Sequence, residues 1–200
     1  MKNFIISAML VALGFSSHAQ EAQKLRFGID AGGAIVTGGG GAIFALEPKY
    51  NIKDDLNVGL RFETAGMVKE FKMNGNNTTS KGKFAANFSI AGTVDKYFSN
   101  SGTVAPYIGA GVGVFFLANA DFDNNSTTQT SSIAAGTKLG GLIRAGVEIS
   151  RFRMALEYNL IPSSEWDATI GSPSATSVHN SYWGIKIGFF IGGGSWGSTQ

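Results

Sequence analysis

The residues in this 200-residue sequence that most invite a chemical reading are His179-Asn180-Ser181. On an extended chain, side chains two apart share a face. The imidazole and the hydroxyl could then act as base and nucleophile in acyl transfer. Such a pair needs a carboxylate to orient the imidazole, and Glu165 and Asp167 in the preceding polar stretch are the nearest. A solvated loop histidine explains His179 without chemistry, and we adopt that reading: no catalytic residue is expected. With no cysteine, and His18 as the only other histidine, neither thiol chemistry nor a transition-metal site is expected. Asp121 and Asp123 read as solvated loop acids rather than a Ca²⁺ site. Gly38 to Gly41 lacks the Lys-Ser/Thr of a phosphate loop. The glycines of Gly109-Ala110-Gly111-Val112-Gly113 recur every second residue, so they line a strand face rather than a dinucleotide turn. No cofactor is expected, and a net charge of +2 without a Lys/Arg cluster excludes a nucleic-acid partner.

More informative is how charge is spaced. Arg26, Asp30, Glu47, Lys49, Arg61, Glu63, Asp95, Lys138, Arg144, Glu148, Glu157 and Lys186 recur at even spacings inside alternating segments, six bases and six acids. Two of these carboxylates could form an acid–base pair. With as many bases beside them, a set of mutual ion pairs is the simpler expectation, because an unpaired charge in a closed space costs several kcal/mol.

Eight segments of period two must carry these residues: about 24–35, 43–53, 56–70, 84–97, 103–117, 136–150, 153–161 and 181–192. Each approaches or exceeds the ~9–11 residues that cross a bilayer as a tilted strand. The opposite face of the segments is apolar: Leu25, Phe27, Ile29; Phe44, Leu46; Val58, Leu60; Phe88, Ile90; Val112, Val114; Ile143, Val147; Leu156; Ile185, Ile187. That face is expected to carry no charge. Glycines between the charged positions suit the interior of an eight-stranded barrel, which side chains just fill. A water-facing sheet would carry more charge, so the apolar face is assigned to lipid and the mixed face to the lumen.

Joins after the second, fourth and sixth segments are short or moderate: Asp54-Asp55, Ser99 to Gly102 and Ser150 to Phe152. Those after the third, fifth and seventh, about 72–83, 118–135 and 162–180, are long and polar, as in outer-membrane barrels. Tyr50, Phe84, Tyr97, Phe98, Phe116, Phe152, Tyr158 and Trp183 near segment ends suit interfacial girdles. Pro48 and Pro106 remove strand donors and are expected near the rim that holds the termini, at bulges. Residues 1–19 read as a signal peptide: Lys2, then an apolar run to Phe15, then small residues with cleavage between Ala19 and Gln20. Residues 20–200 form the single barrel domain.

The alternating segments, the loop asymmetry and the closing run Ser181-Tyr182-Trp183-Gly184-Ile185-Lys186-Ile187-Gly188-Phe189-Phe190 resemble the small outer-membrane barrels of the OmpX and OmpA-transmembrane-domain kind. The resemblance covers the mature chain, except that residues 191–200 continue past the aromatic pair. It implies an all-β, closed, antiparallel up-and-down transmembrane barrel in a bacterial outer membrane, with both termini periplasmic. Its partners would be membrane lipid and, through the last strand, the outer-membrane assembly machinery, and it would be a monomer. A structural or surface-interaction role without catalysis is the expectation. The alternatives are a narrow porin-like channel, a lipid-modifying enzyme like the outer-membrane deacylases that pair a His and a Ser, and a soluble lipocalin-like barrel.

Overall fold

The computed structural model describes residues 22–71, 81–98, 104–122, 133–166 and 176–193. The signal-peptide reading, with Ala19 and Gln20, lies outside them. Strands run over Leu25–Val36 (β1), Gly39–Lys53 (β2), Leu56–Phe71 (β3), Lys81–Tyr97 (β4), Val104–Phe122 (β5), Ile133–Ile149 (β6) and Phe152–Leu160 (β7). Ser164–Trp166 (β8), Thr176–Val178 (β9) and Tyr182–Gly192 (β10) follow. All but β8 and β9 close into one antiparallel barrel in the order β1-β10-β7-β6-β5-β4-β3-β2. β8 and β9 pair only with each other, as a short hairpin inside a stretch that reads as loop in the sequence.

Alternation decides which side chains point inward. Along β7 the exposed residues Phe152, Met154, Leu156 and Leu160 alternate with buried Arg153, Ala155, Glu157 and Asn159. The outer surface is a continuous apolar belt with Phe44, Leu60, Phe88, Ile143, Leu156, Trp183 and Ile187 among its exposed members. Cross-strand neighbours on this face meet ring to ring: Phe88 stacks on Phe116 at 6.0 Å, and Tyr158 lies tilted against Trp183 at 4.7 Å between ring centroids. Such pairs stabilise a sheet beyond their burial.

Three expectations change here. Lys96 is exposed on the outward face of β4, paired with Asp55, so that face is not free of charge at its end. Tyr97 is no girdle residue: it is buried in the lumen and stacks on Tyr107 at 5.2 Å. It shares the parity of Asp95, which outweighs its place near a strand end. The prolines do not sit at bulges. The one shift between β2 and β3 lies between Asn51 and Lys53, whereas at Pro48 the ladder skips from Leu46–Phe62 to Lys49–Gly59 without changing register. Pro106 lies in an unbroken β5–β6 register, and its carbonyl accepts from the Phe98 N–H (2.8 Å) at the last rung of the β4–β5 ladder. The bond it fails to return is therefore a terminal one.

One end of the barrel gathers the start of β1, the end of β10 and the turns Asp54-Asp55 and Ser150-Arg151. The opposite end holds the tight Thr37-Gly38 turn and the connections that leave β3, β5 and β7. Strands β3 to β6 run further towards this loop end than the sequence pattern suggests, with β4–β5 pairing extending to Gly82–Phe122.

Candidate functional site

The lumen is where the charged residues meet. β1 contributes Arg26 and Asp30, β2 Glu47 and Lys49, β3 Arg61 and Glu63, β4 Asp95, β6 Arg144 and Glu148, β7 Arg153 and Glu157, and β10 Lys186, all buried. β5 gives no charge but room. A Cβ added to Gly109 would collide with Asp95 Oδ1 and lie 3.1 Å from Arg144 Cγ. Only glycine admits that carboxylate and guanidinium beside β5.

Arg144 is the hub. Its guanidinium grips Glu47 through Nη2 (2.6 Å) and Nη1 (3.1 Å), and Asp95 through Nε (2.8 Å) and Nη2 (2.9 Å). Two planar two-point contacts from one side chain are within reach of Arg and not of Lys. Arg153 donates through Nε to Asp30 (2.6 Å) and through Nη2 to Glu47 (2.9 Å). Lys49 pairs with Asp95 and, at 3.4 Å, with Glu47. On the loop side of this group, Arg61 pairs with Glu157 and with Glu63 (3.1 Å). Lys186 bridges the same two acids at 2.8 and 2.9 Å. A longer contact from Arg144 to Glu157 (3.9 Å) joins the halves. Five acids and five bases thus form one network to which every barrel strand except β5 contributes.

Neutral groups add further bonds to the network, although the buried Arg61 Nε has no partner among the described residues. Thr93 donates to Glu47 (2.6 Å), Tyr182 to Glu63 (2.8 Å), and Asn159 accepts from Arg61 (3.0 Å). Nearer the termini, Arg26 and Glu148 form a separate pair (2.7 Å). Tyr97 also donates to Glu148 (2.8 Å), and the Arg26 guanidinium lies 3.6 Å above the Phe190 ring centre.

Of the positions singled out in the sequence, Arg26, Asp30, Glu47, Lys49, Arg61, Glu63, Asp95, Arg144, Glu148, Glu157 and Lys186 are brought together here. Lys138 is not: it is half-buried and makes no ion pair with another described residue. Arg153 takes its place in the count, and sequence reasoning misses it because it falls on a segment boundary. Its parity, shared with Glu157, is the available signal.

The lumen is not polar throughout. Towards the loop end, Ala34, Ile43, Ala65, Met67, Phe115, Leu117, Ile161 and Tyr182 pack as a buried apolar cluster across it. Phe115 reaches over Gly140, where a Cβ would come within 2.8 Å of its ring. No interior alternation predicts this layer, because its residues share the parity of the charged ones.

His179 and Ser181 precede β10 rather than lying on it. Ser181 Oγ accepts from the Ile161 N–H (3.0 Å) and donates to the Ile161 carbonyl (3.1 Å), which prolongs the β7–β10 ladder by a side chain. Its proton and a lone pair are both committed to backbone. Asp121, Asp123, Glu165 and Asp167 have no described side chain. No cluster of metal-ligating residues occurs among the described residues.

No protein-family model matches the chain, and neither does any curated protein. Solved structures do. Neisserial surface protein A, NspA, superposes with a TM-score of 0.53 at 17% identity, covering 85% of this chain and 97% of its own. A major outer membrane protein from Thermus thermophilus gives 0.52 at 15% identity, covering 84% and 99%. At such identities the likeness is one of fold, and the chain has the fold of the small eight-stranded outer-membrane barrels.

Proposed function

We propose that this chain is an integral protein of a bacterial outer membrane, with both termini in the periplasm. It would be a monomeric scaffold that holds its loop end at the cell surface and performs no catalysis. The observation that carries this reading is the inversion of faces. Large apolar side chains cover the outside while ten linked ions fill the inside. A soluble barrel with that surface would aggregate, since exposed apolar patches beyond a few hundred Å² mark contact with lipid or another protein. In lipid, closure of the ladder pairs every barrel strand on both sides, which the hydrocarbon layer requires of the backbone. The strand number, the two fold relatives and the short turns at the terminal end support the same placement.

The filled lumen speaks against the channel alternative. A hydrated ion would have to break bidentate guanidinium pairs and cross the apolar layer around Phe115. Cell fractionation and planar-bilayer recording test both parts. The protein is expected in the outer-membrane fraction, and the purified protein is expected to show no steady openings. Sizeable, regular conductance steps would replace the scaffold reading with the channel one.

A further inference from the structure

We propose that the seam between β1 and β10 carries a steric lock, bulky side chains set opposite glycines, which excludes the neighbouring registers when the barrel closes. Topology explains why the seam needs one. Every other pair of neighbouring barrel strands follows in chain order, so a connecting segment limits its register. β1 and β10 are the first and last strands and have no such link. Inward and outward alternation rules out a slip of one residue but leaves a slip of two open.

Hydrogen-bond parity shows where side chains across the seam come closest. The Phe190 N–H donates to the Arg151 carbonyl and the Gly193 N–H to the Leu25 carbonyl, both at 2.9 Å. Even-numbered residues of β10 therefore bond to β7, and odd-numbered ones to β1. The inward pairs of the seam are thus non-hydrogen-bonded, the kind whose Cα atoms approach to ~4.5 Å and whose side chains crowd most.

On these crowded rungs Arg26 faces Gly192, Gly28 faces Phe190, Asp30 faces Gly188 and Gly32 faces Lys186. Bulk changes strand at each rung. A Cβ on Gly32 would strike the Ile185 carbonyl oxygen and lie 2.8 Å from Lys186 Cα. One on Gly188 would strike Asp30 and the Ile29 carbonyl oxygen. One on Gly192, whose φ is 86°, would lie 2.5 Å from the Leu25 carbonyl oxygen. Pairings between consecutive strands do not keep this rule. There Arg144 faces Glu157, Tyr97 faces Tyr107, and Gly113 faces Gly140.

A two-residue slip breaks the pattern in either direction. One slip sets Arg26 against Phe190 and Asp30 against Lys186; the other sets Asp30 against Phe190 and Ala34 against Lys186. Each also leaves two rungs where glycine faces glycine, so overpacking and voids arise together. A four-residue slip restores the alternation but moves β1 by ~13 Å. That would part Arg26 from Glu148 and Asp30 from Arg153.

Because the chain has no cysteine, introduced disulfides can report the register. Directly opposed residues, ~5.5 Å apart, can be bridged, whereas diagonal ones at ~7–8 Å cannot without backbone movement. The full chain is refolded from urea into detergent micelles and oxidised. Ile29→Cys with Phe189→Cys reports the native register, and Ile29→Cys with Ile187→Cys or Ile191→Cys the two slipped ones. With all seam glycines intact, only the native pair is expected to bridge. Gly32→Ala or Gly188→Ala should lower the ratio of native to slipped bridges by at least about tenfold.

Two controls separate register from stability. Gly33→Ala adds the same methyl group one residue away, where the nearest neighbour is the Gly41 carbonyl oxygen at 3.8 Å. In Gly113→Ala the new Cβ strikes the Ile90 carbonyl oxygen, but inside the β4–β5 pairing. Gly113→Ala should lower the urea midpoint, and both controls should leave the bridge ratio unchanged. Slipped bridges in the glycine-intact chain would overturn the proposal. So would a ratio unchanged by Gly32→Ala and Gly188→Ala, or one lowered equally by Gly113→Ala. A Gly32→Ala chain that bridges no pair would overturn it as well, because the glycine would then serve closure itself and not its register.

Discussion

Arg144 and Lys138 lie on the same face of the same strand, yet their surroundings give them opposite weights. Arg144 satisfies two carboxylates at once, and its side chain is 2% exposed. Replacing it with Leu leaves Glu47 and Asp95 without their main counter-ion in a closed space, a change that costs ~3–5 kcal/mol. Lys138→Leu removes no ion pair and should shift stability by less than ~0.5 kcal/mol. Urea unfolding in detergent micelles measures both, and similar midpoints for the two variants would contradict the network. From sequence alone the lysine and the arginine look equivalent, because parity reports direction and not depth. The face of Glu47, Arg61 or Glu157 was legible; which acid meets which base was not, since partners such as Arg153 and Asp30 are 123 residues apart. Tyr97 shows the reverse case. Its place near a segment end reads as interfacial, yet its parity, shared with Asp95, turns it into the lumen.

At the scale of elements, turns and register carry the information. Ser150 takes φ 56° in the two-residue turn between β6 and β7. That left-handed conformation costs a side-chain-bearing residue ~1 kcal/mol relative to glycine. Ser150→Gly should therefore stabilise the barrel by up to about that amount, read as a higher urea midpoint; a lower midpoint would show that the hydroxyl contributes more than the strain. The eight barrel strands were legible because Val, Ile and Phe alternate cleanly with Gly and charge over their membrane-facing parts. Their loop-end extensions were not. Ala118 to Phe122 and Ile133 to Ala135 are rich in small residues, with no alternation to separate strand from loop, and only pairing across β4, β5 and β6 defines them. The β8–β9 hairpin escaped for the same reason, being three residues a side.

For the whole molecule, closure and inversion act together. A closed ladder satisfies the backbone, the outer belt suits hydrocarbon, and the interior is sealed twice, by the ionic network and by the layer around Phe115, Leu117 and Met67. The two seals touch at Tyr182, which packs in the layer and donates to Glu63, but Arg61 belongs to the network alone. Arg61→Leu should lower stability by a few kcal/mol yet leave planar-bilayer recordings silent, since the apolar layer remains intact. A variant with a new conductance and unchanged melting would contradict this division. The most direct test of the inverted barrel is the migration of the detergent-extracted protein on a gel, with and without boiling. A closed, lipid-facing barrel should run as a faster, compact band unboiled and slow to its full-length position after boiling. A single band of unchanged mobility, from a protein that stays monodisperse in plain buffer, would contradict it.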